Sequence, residues 1–172
     1  MVRRQFLIQI GVLAGTLSFP GRQVFAHIID TNRKFSPIDQ PKSKWRTLLP
    51  EAAYNVLFEE DTEPPGSSPL NNEKREGTYL CAACYLPLFQ SQTKYDSGTG
   101  WPSFYQPITG RVDTKLDFKL IWPRTEYHCA RCGGHQGHVF DDGPQPTGKR
   151  YCNNGLALKF IPIDESLPEL RS

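Results

Sequence analysis

The chain has 172 residues, of which 38% are apolar and 12% aromatic, so it can bury one globular core and is not an intrinsically disordered chain. Its 14 glycines and 15 prolines follow no fixed period, which excludes a repeat array and favours many turns and short strands. The 20 basic and 18 acidic residues leave no long basic block, so we expect no nucleic-acid partner.

The first 26 residues have the layout of a signal peptide. Arg3 and Arg4 precede an apolar run over residues 6–19, and Ala26 is the small residue expected at a cleavage site. The run is shorter than the ~20 apolar residues that span a bilayer, which favours a signal peptide over an uncleaved membrane anchor, the alternative. The letters RRQFL are similar to the core of twin-arginine signals, whose route exports folded proteins, so we expect export to the periplasm or an equivalent lumen.

The rest of the chain divides into an arm, a domain and a tail. Residues 27–44 are polar and interrupted by Pro37 and Pro41, which predicts a flexible arm. The folded domain is expected over residues 45–164, with a tail over residues 165–172.

The domain begins with a helical pattern in the letters LLPEAAYNVLFEED, residues 48–61. Pro50 suits a first helical position, Glu51 suits the positive N-terminal end, and apolar residues recur at helical spacing. These features predict one helix that lays an apolar stripe on a sheet. The next segment, residues 62–77, is rich in Pro, Gly, Ser and Asn and predicts a long surface loop.

Beyond this loop the chain consists of short segments that predict strands, most of them bounded by Gly, Pro or Asp. The predicted strands cover residues 78–81, 86–89, 104–108, 118–122, 126–129, 138–140 and 156–160. In the last of these, Leu156, Leu158 and Phe160 recur with the two-residue period of a half-buried strand. We therefore predict a mainly β, antiparallel fold with one or two helices at its edge.

Four of the five cysteines form two CxxC pairs. Cys81 and Cys84 stand in CAAC, Cys129 and Cys132 stand in CARC, and 44 residues separate the pairs. Two such knuckles can present four thiolates to one tetrahedral Zn²⁺, and because four thiolates leave no position for water, this zinc would be structural. The alternative is a pair of disulfides between the knuckles, which an oxidising compartment would favour.

The fifth cysteine, Cys152, has no partner within this pattern. On an extended strand Arg150, Cys152 and Asn154 face the same side, where a guanidinium favours a thiolate and an amide can bind an oxygen or a water. His135 and His138 suit the proton donors that accompany a cysteine nucleophile. A lone cysteine can equally be a small buried hydrophobe, and the two histidines can be metal ligands or polar groups of a turn.

Three segments resemble the B-type methionine-R-sulfoxide reductases. They are CAACYLPLF at residues 81–89, TKYDSGTGWPSFYQPI at 93–108, and the run that begins RTEYHCARC and ends LALKF at 124–160. The resemblance covers about residues 45–161. It implies two antiparallel sheets with flanking helices, a Cys₄ zinc site opposite the active site, and an oxidoreductase that repairs oxidised methionine in proteins or peptides.

The resemblance implies a role for each residue of the expected site. Cys152 matches a nucleophile whose thiolate attacks the sulfoxide sulfur, so that methionine leaves and a sulfenic acid forms. Trp101 matches the ring against which the substrate methyl group packs, and Phe104 belongs to the same motif. The polar groups around the sulfoxide oxygen match His135, His138 and Asn154, and the supporting charges match Arg150 and Asp142. The zinc ligands match Cys81, Cys84, Cys129 and Cys132.

One departure from the family concerns recycling. Many members carry a resolving cysteine between the two glycines of the SGTGW segment, where this chain has Thr99. With the other four cysteines matched to zinc, the resemblance implies that an external thiol must reduce the sulfenic acid. We expect the protein to work as a monomer. Residues 59–66 and 119–123 also depart from the family pattern, and they lie at the expected substrate rim.

Two other interpretations belong to different classes of protein. In the first, the chain is a non-catalytic zinc-ribbon module whose Trp101, Phe104 and histidines form a recognition surface. In the second, it is a secreted structural domain held by two disulfides, with Cys152 pairing between chains. Turnover of methionine sulfoxide separates the enzyme from the first, and thiol titration with native mass spectrometry separates it from the second.

Overall fold

The computed structural model describes residues 35–118 and 123–172. The predicted signal peptide, the first part of the predicted arm and most of the predicted strand 118–122 lie outside these ranges. No helix within them is long and apolar enough to cross a membrane.

From residue 35 onward, two helices precede the first strand. Helix α1 covers Lys42–Leu48 and helix α2 covers Glu51–Glu59, and they are separated at Pro50, the N-cap of α2. A proline disfavours helical backbone at the residue that precedes it. Leu49, which precedes Pro50, is therefore extended, and the two helices stay separate. Helix α2 is the predicted one. Helix α1 was missed because Trp45 alone is buried in it, stacked on Phe58 with ring centroids 5.5 Å apart.

The described part of the predicted arm is packed on the domain. Phe35 and Ile38 lie against the core, and the Ile38 N–H donates to the Arg131 carbonyl oxygen at 2.7 Å. Together with α1, these contacts replace the expected flexible segment over residues 35–44. In the predicted tail, Leu170 packs on the core and the Arg171 N–H donates to the Cys84 carbonyl oxygen at 3.1 Å.

The nine strands of the described ranges form two antiparallel sheets, as predicted. The three-stranded sheet has the order β2-β1-β9, and the six-stranded sheet has the order β3-β4-β8-β7-β6-β5. In chain order the strands are β1 Gly77–Cys81, β2 Pro87–Gln90, β3 Lys94–Tyr95, β4 Ser103–Phe104, β5 Val112–Asp117, β6 Arg124–Cys129, β7 His135–Phe140, β8 Arg150–Asn153 and β9 Leu158–Pro162. A mainly β fold with two flanking helices is confirmed.

Three strand predictions differ from the structure. The strand predicted over 104–108 ends at Phe104. The edge strand β5 was not predicted, because its central residues are exposed and show no apolar period. The segment 156–160 starts with a short 3₁₀ helix, Gly155–Ala157, so Leu156 is 39% exposed and the strand begins at Leu158.

Aromatic rings join the two sheets. Phe89 of β2 stacks on Phe104 of β4 with centroids 4.2 Å apart, and the centroid of its ring lies 6.0 Å from that of Tyr151 of β8. Burying each such side chain is worth ~1.5–3 kcal/mol. This packing holds β8, which carries Cys152, firmly against the core.

Candidate active site and metal cluster

One row of side chains crosses four strands of the larger sheet. Cys152 of β8 pairs with Ser103 of β4 on one side and with His138 of β7 on the other, and His138 pairs in turn with Glu126 of β6. Directly opposed residues of antiparallel strands point to the same face, with Cβ atoms ~5 Å apart. The sheet register therefore places the thiol next to an imidazole.

A pocket of about 110 Å³ opens over this row. Its lining comprises Thr62, Trp101, Arg124, Gly137, His138, Phe140, Cys152, Asn153 and Asn154. Four of the predicted site residues are thus brought together, although they are spread over 54 positions of the chain. Two larger cavities, of about 580 and 380 Å³, lie elsewhere in the described part of the chain, and neither is lined by a cysteine or a histidine.

Gly137 permits the close approach of the strands at this pocket. A Cβ atom on Gly137 would lie 1.9 Å from the Cys152 carbonyl oxygen. A contact that short would push β7 away from β8, because the obstacle is backbone and cannot rotate aside. Glycine at this position therefore maintains the spacing between His138 and Cys152.

The Cys152 thiol is half-buried, and burial raises its pKa. The Arg150 guanidinium and hydrogen bonds from Thr99 and Arg150 lower this pKa, while the Asp142 carboxylate raises it. The burial effect prevails, so at neutral pH the resting sulfur is mainly a thiol. Arg150 favours the thiolate, as predicted, but this effect is limited because Asp142 accepts two hydrogen bonds from the guanidinium at 2.8 Å each.

His138 is held by an acidic residue from β5. Its Nε2 lies 2.7 Å from Asp117 Oδ2, which also accepts a 2.9 Å hydrogen bond from Arg124. Burial lowers the pKa of His138, and Arg124 and His135 lower it further, while Asp117 raises it. A neutral imidazole donates from Nε2 to a carboxylate, which leaves Nδ1 as the proton-accepting atom of the ring.

His135 lies behind His138 and not at the pocket. It is 3% exposed, and its Nδ1 is 2.9 Å from Glu126 Oε1. This distance is within ion-pair range, but the angle at Nδ1 does not suit a hydrogen bond. The two imidazole rings meet edge-on with centroids 5.5 Å apart. The structure therefore gives His135 a supporting position, where the resemblance had implied contact with the sulfoxide oxygen.

Asn154 forms part of the pocket wall, but both polar atoms of its side-chain amide are already hydrogen-bonded to backbone groups. Its Oδ1 accepts from the Glu63 N–H at 3.1 Å, and its Nδ2 donates to the Gln136 carbonyl oxygen at 3.2 Å. Asn154 also follows the end of β8, so the expected alternation of residues 150, 152 and 154 does not extend to it. Asn154 consequently shapes the pocket more than it offers a ligand.

Phe104 needs a correction, because it is fully buried in the core on Phe89 and does not line the pocket. The reason is the two-residue period of a strand: Ser103 faces Cys152, so the next residue must face the opposite side. Trp101, by contrast, is at the pocket, and its indole N–H donates to the Glu63 carbonyl oxygen at 3.1 Å.

The four remaining cysteines form a compact cluster. Their sulfur atoms all lie within 4.8 Å of one another, with Cys81 to Cys132 at 3.6 Å and Cys84 to Cys129 at 3.5 Å. Four thiolates around one Zn²⁺ at ~2.3 Å would stand ~3.8 Å apart, whereas a disulfide requires ~2.05 Å. All four are free thiols, so the cluster has the dimensions of a tetrahedral metal site.

Each knuckle turns in the same way. The Tyr85 N–H donates to the Cys81 carbonyl oxygen, and the Gly133 N–H donates to the Cys129 carbonyl oxygen, both at 2.9 Å. Tyr85 and Gly133 have left-handed backbone, with φ of 62° and 70°. Burial raises the pKa of Cys81 and Cys129, so a bound cation would be needed to balance four buried thiolates.

Comparison with known proteins agrees with this geometry. The family model described as the SelR domain matches residues 49–162. The chain belongs to the B-type methionine sulfoxide reductase family. It is 50% identical over 129 residues to the peptide methionine sulfoxide reductase MsrB of Pseudomonas putida strain W619, covering 74% of this chain and 96% of the relative.

Two further relatives extend the comparison. The chain is 48% identical over 129 residues to MsrB of Methanosarcina barkeri strain Fusaro, covering 74% of this chain and 91% of the relative. It is 48% identical over 126 residues to the chloroplastic peptide methionine sulfoxide reductase B1 of Arabidopsis thaliana. That match covers 73% of this chain but only 62% of the plant protein, so the chain spans less than two thirds of this relative.

Within the SelR domain, Glu63 is a site residue that the sequence analysis missed. Its buried carboxylate accepts the Gly155 N–H at 2.5 Å and the Leu156 N–H at 3.1 Å, while its own backbone binds Trp101 and Asn154. Glu63 therefore ties two pocket walls together. It stood in a segment that predicted only a surface loop, and nothing in the local pattern marked it as buried.

Asp117 was missed for a similar reason. It ends the edge strand β5, whose sequence had no recognisable strand pattern. Its side chain reaches across β6 to contact His138 of β7. A single acidic residue between a leucine and a phenylalanine gives no signal of this kind. Thr99 was noted only as the place of a missing cysteine, whereas its hydroxyl lies near Cys152 and lowers the pKa of the thiol.

Proposed function

We propose that the protein reduces the R epimer of methionine sulfoxide in oxidised proteins or peptides, with Cys152 as the nucleophile. The observation that carries this proposal is the pairing of Cys152 with His138 across β7 and β8, in a pocket walled by Trp101. The names of the relatives support the reaction, and the choice of epimer rests on the family resemblance.

In the proposed reaction the Cys152 sulfur attacks the sulfoxide sulfur. The sulfoxide oxygen ends on Cys152 as a sulfenic acid, so the cysteine sulfur loses two electrons and the methionine sulfur gains them. The thiol proton passes to His138 Nδ1 and then to the sulfoxide oxygen as negative charge develops there. Burial raises the thiol pKa and lowers the imidazole pKa, so the resting pair is a neutral thiol and a neutral imidazole, and the proton is expected to move only as negative charge develops on the bound sulfoxide.

The pocket walls would orient the substrate for this attack. The Trp101 indole is anchored at Glu63, which leaves its ring as an apolar wall for the sulfoxide methyl group. Arg124 and Phe140 also line the pocket, and Arg150 lies over the Phe140 ring at 4.3 Å. Asn153, fixed by the Tyr127 hydroxyl at 2.6 Å, supports the strand beneath Cys152.

We further propose that Cys81, Cys84, Cys129 and Cys132 hold one structural Zn²⁺. The fit of the four sulfur atoms to tetrahedral dimensions supports this choice. When bound, the metal would link the two knuckles and neutralise their thiolates, and the four sulfur ligands would leave it no position for substrate. All chemistry at the sulfoxide is therefore assigned to the pocket residues.

Recycling is proposed to require an external thiol reductant, since no cysteine outside the metal cluster accompanies Cys152 in this sequence. We also propose that the protein is exported by the twin-arginine route and acts as a monomer. Support for export comes from the pattern of residues 1–26. The reductant must then be present in the compartment that the protein enters.

The test is turnover of the separate R and S epimers of a methionine sulfoxide peptide, with dithiothreitol as reductant. We expect consumption of the R epimer alone, and loss of at least ~10³-fold in rate for Cys152→Ser, as for other covalent nucleophiles. Zinc content measured on the same samples should stay at one ion per chain. Consumption of the S epimer, or an active Cys152→Ser variant, would contradict the proposal.

A further inference from the structure

Three hydroxyl groups form a hydrogen-bonded chain beside Cys152. Ser103 stands directly opposite Cys152 in the sheet register, and the Thr99 hydroxyl lies near enough to the sulfur to lower the pKa of the thiol. The Ser97 hydroxyl lies 2.8 Å from Thr99 Oγ1 and 2.8 Å from the Ser103 hydroxyl, which can donate to the Trp101 carbonyl oxygen at 3.2 Å. The chain therefore leads from the neighbourhood of the sulfur to the backbone of the residue that forms the pocket wall.

The backbone around these hydroxyls is held in place. Gly98 and Gly100 have left-handed backbone, with φ of 70° and 89°, and the Gly98 N–H donates to the Asp96 carboxylate at 2.9 Å. The Gly100 carbonyl oxygen accepts from the Gly66 N–H at 2.7 Å and from Asn71 at 2.9 Å. The loop is therefore pinned on both sides, and its hydroxyls are positioned before any substrate arrives.

Such a chain can run in either direction, because hydroxyl hydrogens rotate and each oxygen can donate or accept. While Cys152 is a thiol, its S–H can donate to Thr99, and the successive hydroxyls donate onward to the Trp101 carbonyl oxygen. Once the sulfur carries negative charge it can only accept, and the chain must then run from Ser103 through Ser97 and Thr99 to the sulfur.

We propose that Thr99, with Ser97 and Ser103 behind it, is a reversible hydrogen-bond donor to the charged Cys152 sulfur and hence a further catalytic residue. This inference rests on the proposed function, since it requires Cys152 to act as the nucleophile. The reversal involves rotation of three hydroxyl groups and no net transfer of a proton along the chain. The proton of Cys152 leaves by the His138 route.

The other groups around Cys152 do not replace this donor. Arg150 is shared with Asp142, and His138 is engaged by Asp117. Tyr95 and Tyr127 also lie near Cys152, and burial raises the pKa of both phenols, with a further rise from the cysteine charge. Thr99 is thus the neutral donor whose hydroxyl has no competing carboxylate among its contacts.

The test compares hydroxyl deletions in the full chain. Thr99→Val keeps the shape and removes the hydroxyl, Thr99→Ser restores it, and Ser97→Ala breaks the chain one step further away. Thr93→Val is the matched control, since the Thr93 hydroxyl is exposed and donates to the Gln90 carbonyl oxygen outside the chain. The measurement is the rate of iodoacetamide alkylation at Cys152 against pH, followed by peptide mass spectrometry.

We expect Thr99→Val to raise the Cys152 pKa by about one unit and to slow alkylation at pH 7 about ten-fold, the scale for a hydrogen bond to a charged group. Ser97→Ala should slow it about three-fold, while Thr99→Ser and Thr93→Val should match the wild type. A wild-type alkylation profile in Thr99→Val would overturn the proposal. A wild-type alkylation profile in Ser97→Ala would overturn the proposed role of the hydroxyl chain behind Thr99, whether or not Thr99→Val folds.

Turnover of methionine-R-sulfoxide by wild type and Cys152→Ser, measured in parallel, separates this inference from the proposed function. If Cys152→Ser remains active, the proposed function fails and the inference that rests on it fails with it. If Cys152→Ser is inactive while Thr99→Val alkylates like the wild type, only the hydroxyl chain is refuted.

Discussion

The cluster of Cys81, Cys84, Cys129 and Cys132 and the pocket around Cys152 are two ways of surrounding a cysteine. In the cluster, four sulfur atoms within 4.8 Å of one another come from two local turns of the same shape. In the pocket, one sulfur is surrounded by side chains from β4, β7, β8 and two loops, each contributing a different chemical group. The cluster is suited to holding a cation, and the pocket is suited to moving a proton.

Removing a ligand should have the largest effect and should separate the two regions completely. We expect Cys81→Ser and Cys129→Ser to lose the metal and the cooperative fold, because metal binding and folding are coupled in such sites. Cys152→Ser should keep both. Elemental analysis with circular dichroism measures this contrast, and a metal-free Cys129→Ser variant that folds like the wild type would refute it.

His138→Ala should be next, with a loss of roughly 10²–10⁴-fold in kcat and a smaller change in KM, as expected for a group that moves a proton in the transition state. Asp117→Asn should reduce kcat less and should change its pH profile, because His138 loses the charged partner that raises its pKa. Steady-state kinetics from pH 5 to pH 9 provide the measurement. An unaltered kcat in His138→Ala would remove this residue from the mechanism.

Trp101→Ala should raise KM by roughly 5- to 150-fold, corresponding to about 1–3 kcal/mol of lost apolar contact with the substrate. Its effect should fall on binding because the ring forms a wall and exchanges no proton. A lower melting temperature with unchanged kinetics would instead assign Trp101 to the core. Phe104→Leu serves as the contrast, since that buried ring should affect stability and leave KM nearly unchanged.

Glu63→Gln should raise KM about ten-fold and lower the free energy of unfolding by about 1–3 kcal/mol, because an amide can accept only one of the two backbone N–H groups that the carboxylate now binds. Urea denaturation and substrate titration measure the two effects. Glu73→Gln is a suitable control, since that carboxylate binds Arg75 and lines a different cavity. Equal effects of the two substitutions would argue against a role for Glu63 in the pocket.

Asp142→Asn should have the smallest effect, and its direction is the informative part. Asp142 raises the Cys152 pKa, so its removal should lower that pKa and accelerate alkylation at pH 7 a few-fold. Arg150→Gln should act in the opposite direction, since the guanidinium lowers the same pKa. Slower alkylation in Asp142→Asn would indicate that this residue acts mainly by orienting Arg150.

The sequence by itself determined the features that depend on short spacing. Two residues between cysteines are enough to build a knuckle, so the pairs CAAC and CARC predicted the cluster, and cysteine counting isolated Cys152. Turn residues at frequent intervals likewise predicted a mainly β fold, and a proline with an apolar period predicted α2. Each of these signals is contained within a few neighbouring residues.

Only the tertiary structure decided which distant residues meet. Glu63 binds the backbone of Gly155, 92 positions away, and Asp117 reaches His138 across the sheet. The register between β4 and β8 turned Ser103 toward Cys152 and therefore sent Phe104 into the core. A register is set by the packing of whole sheets, and a shift of one residue would exchange the two faces, so no local pattern specifies which side chain reaches the sulfur.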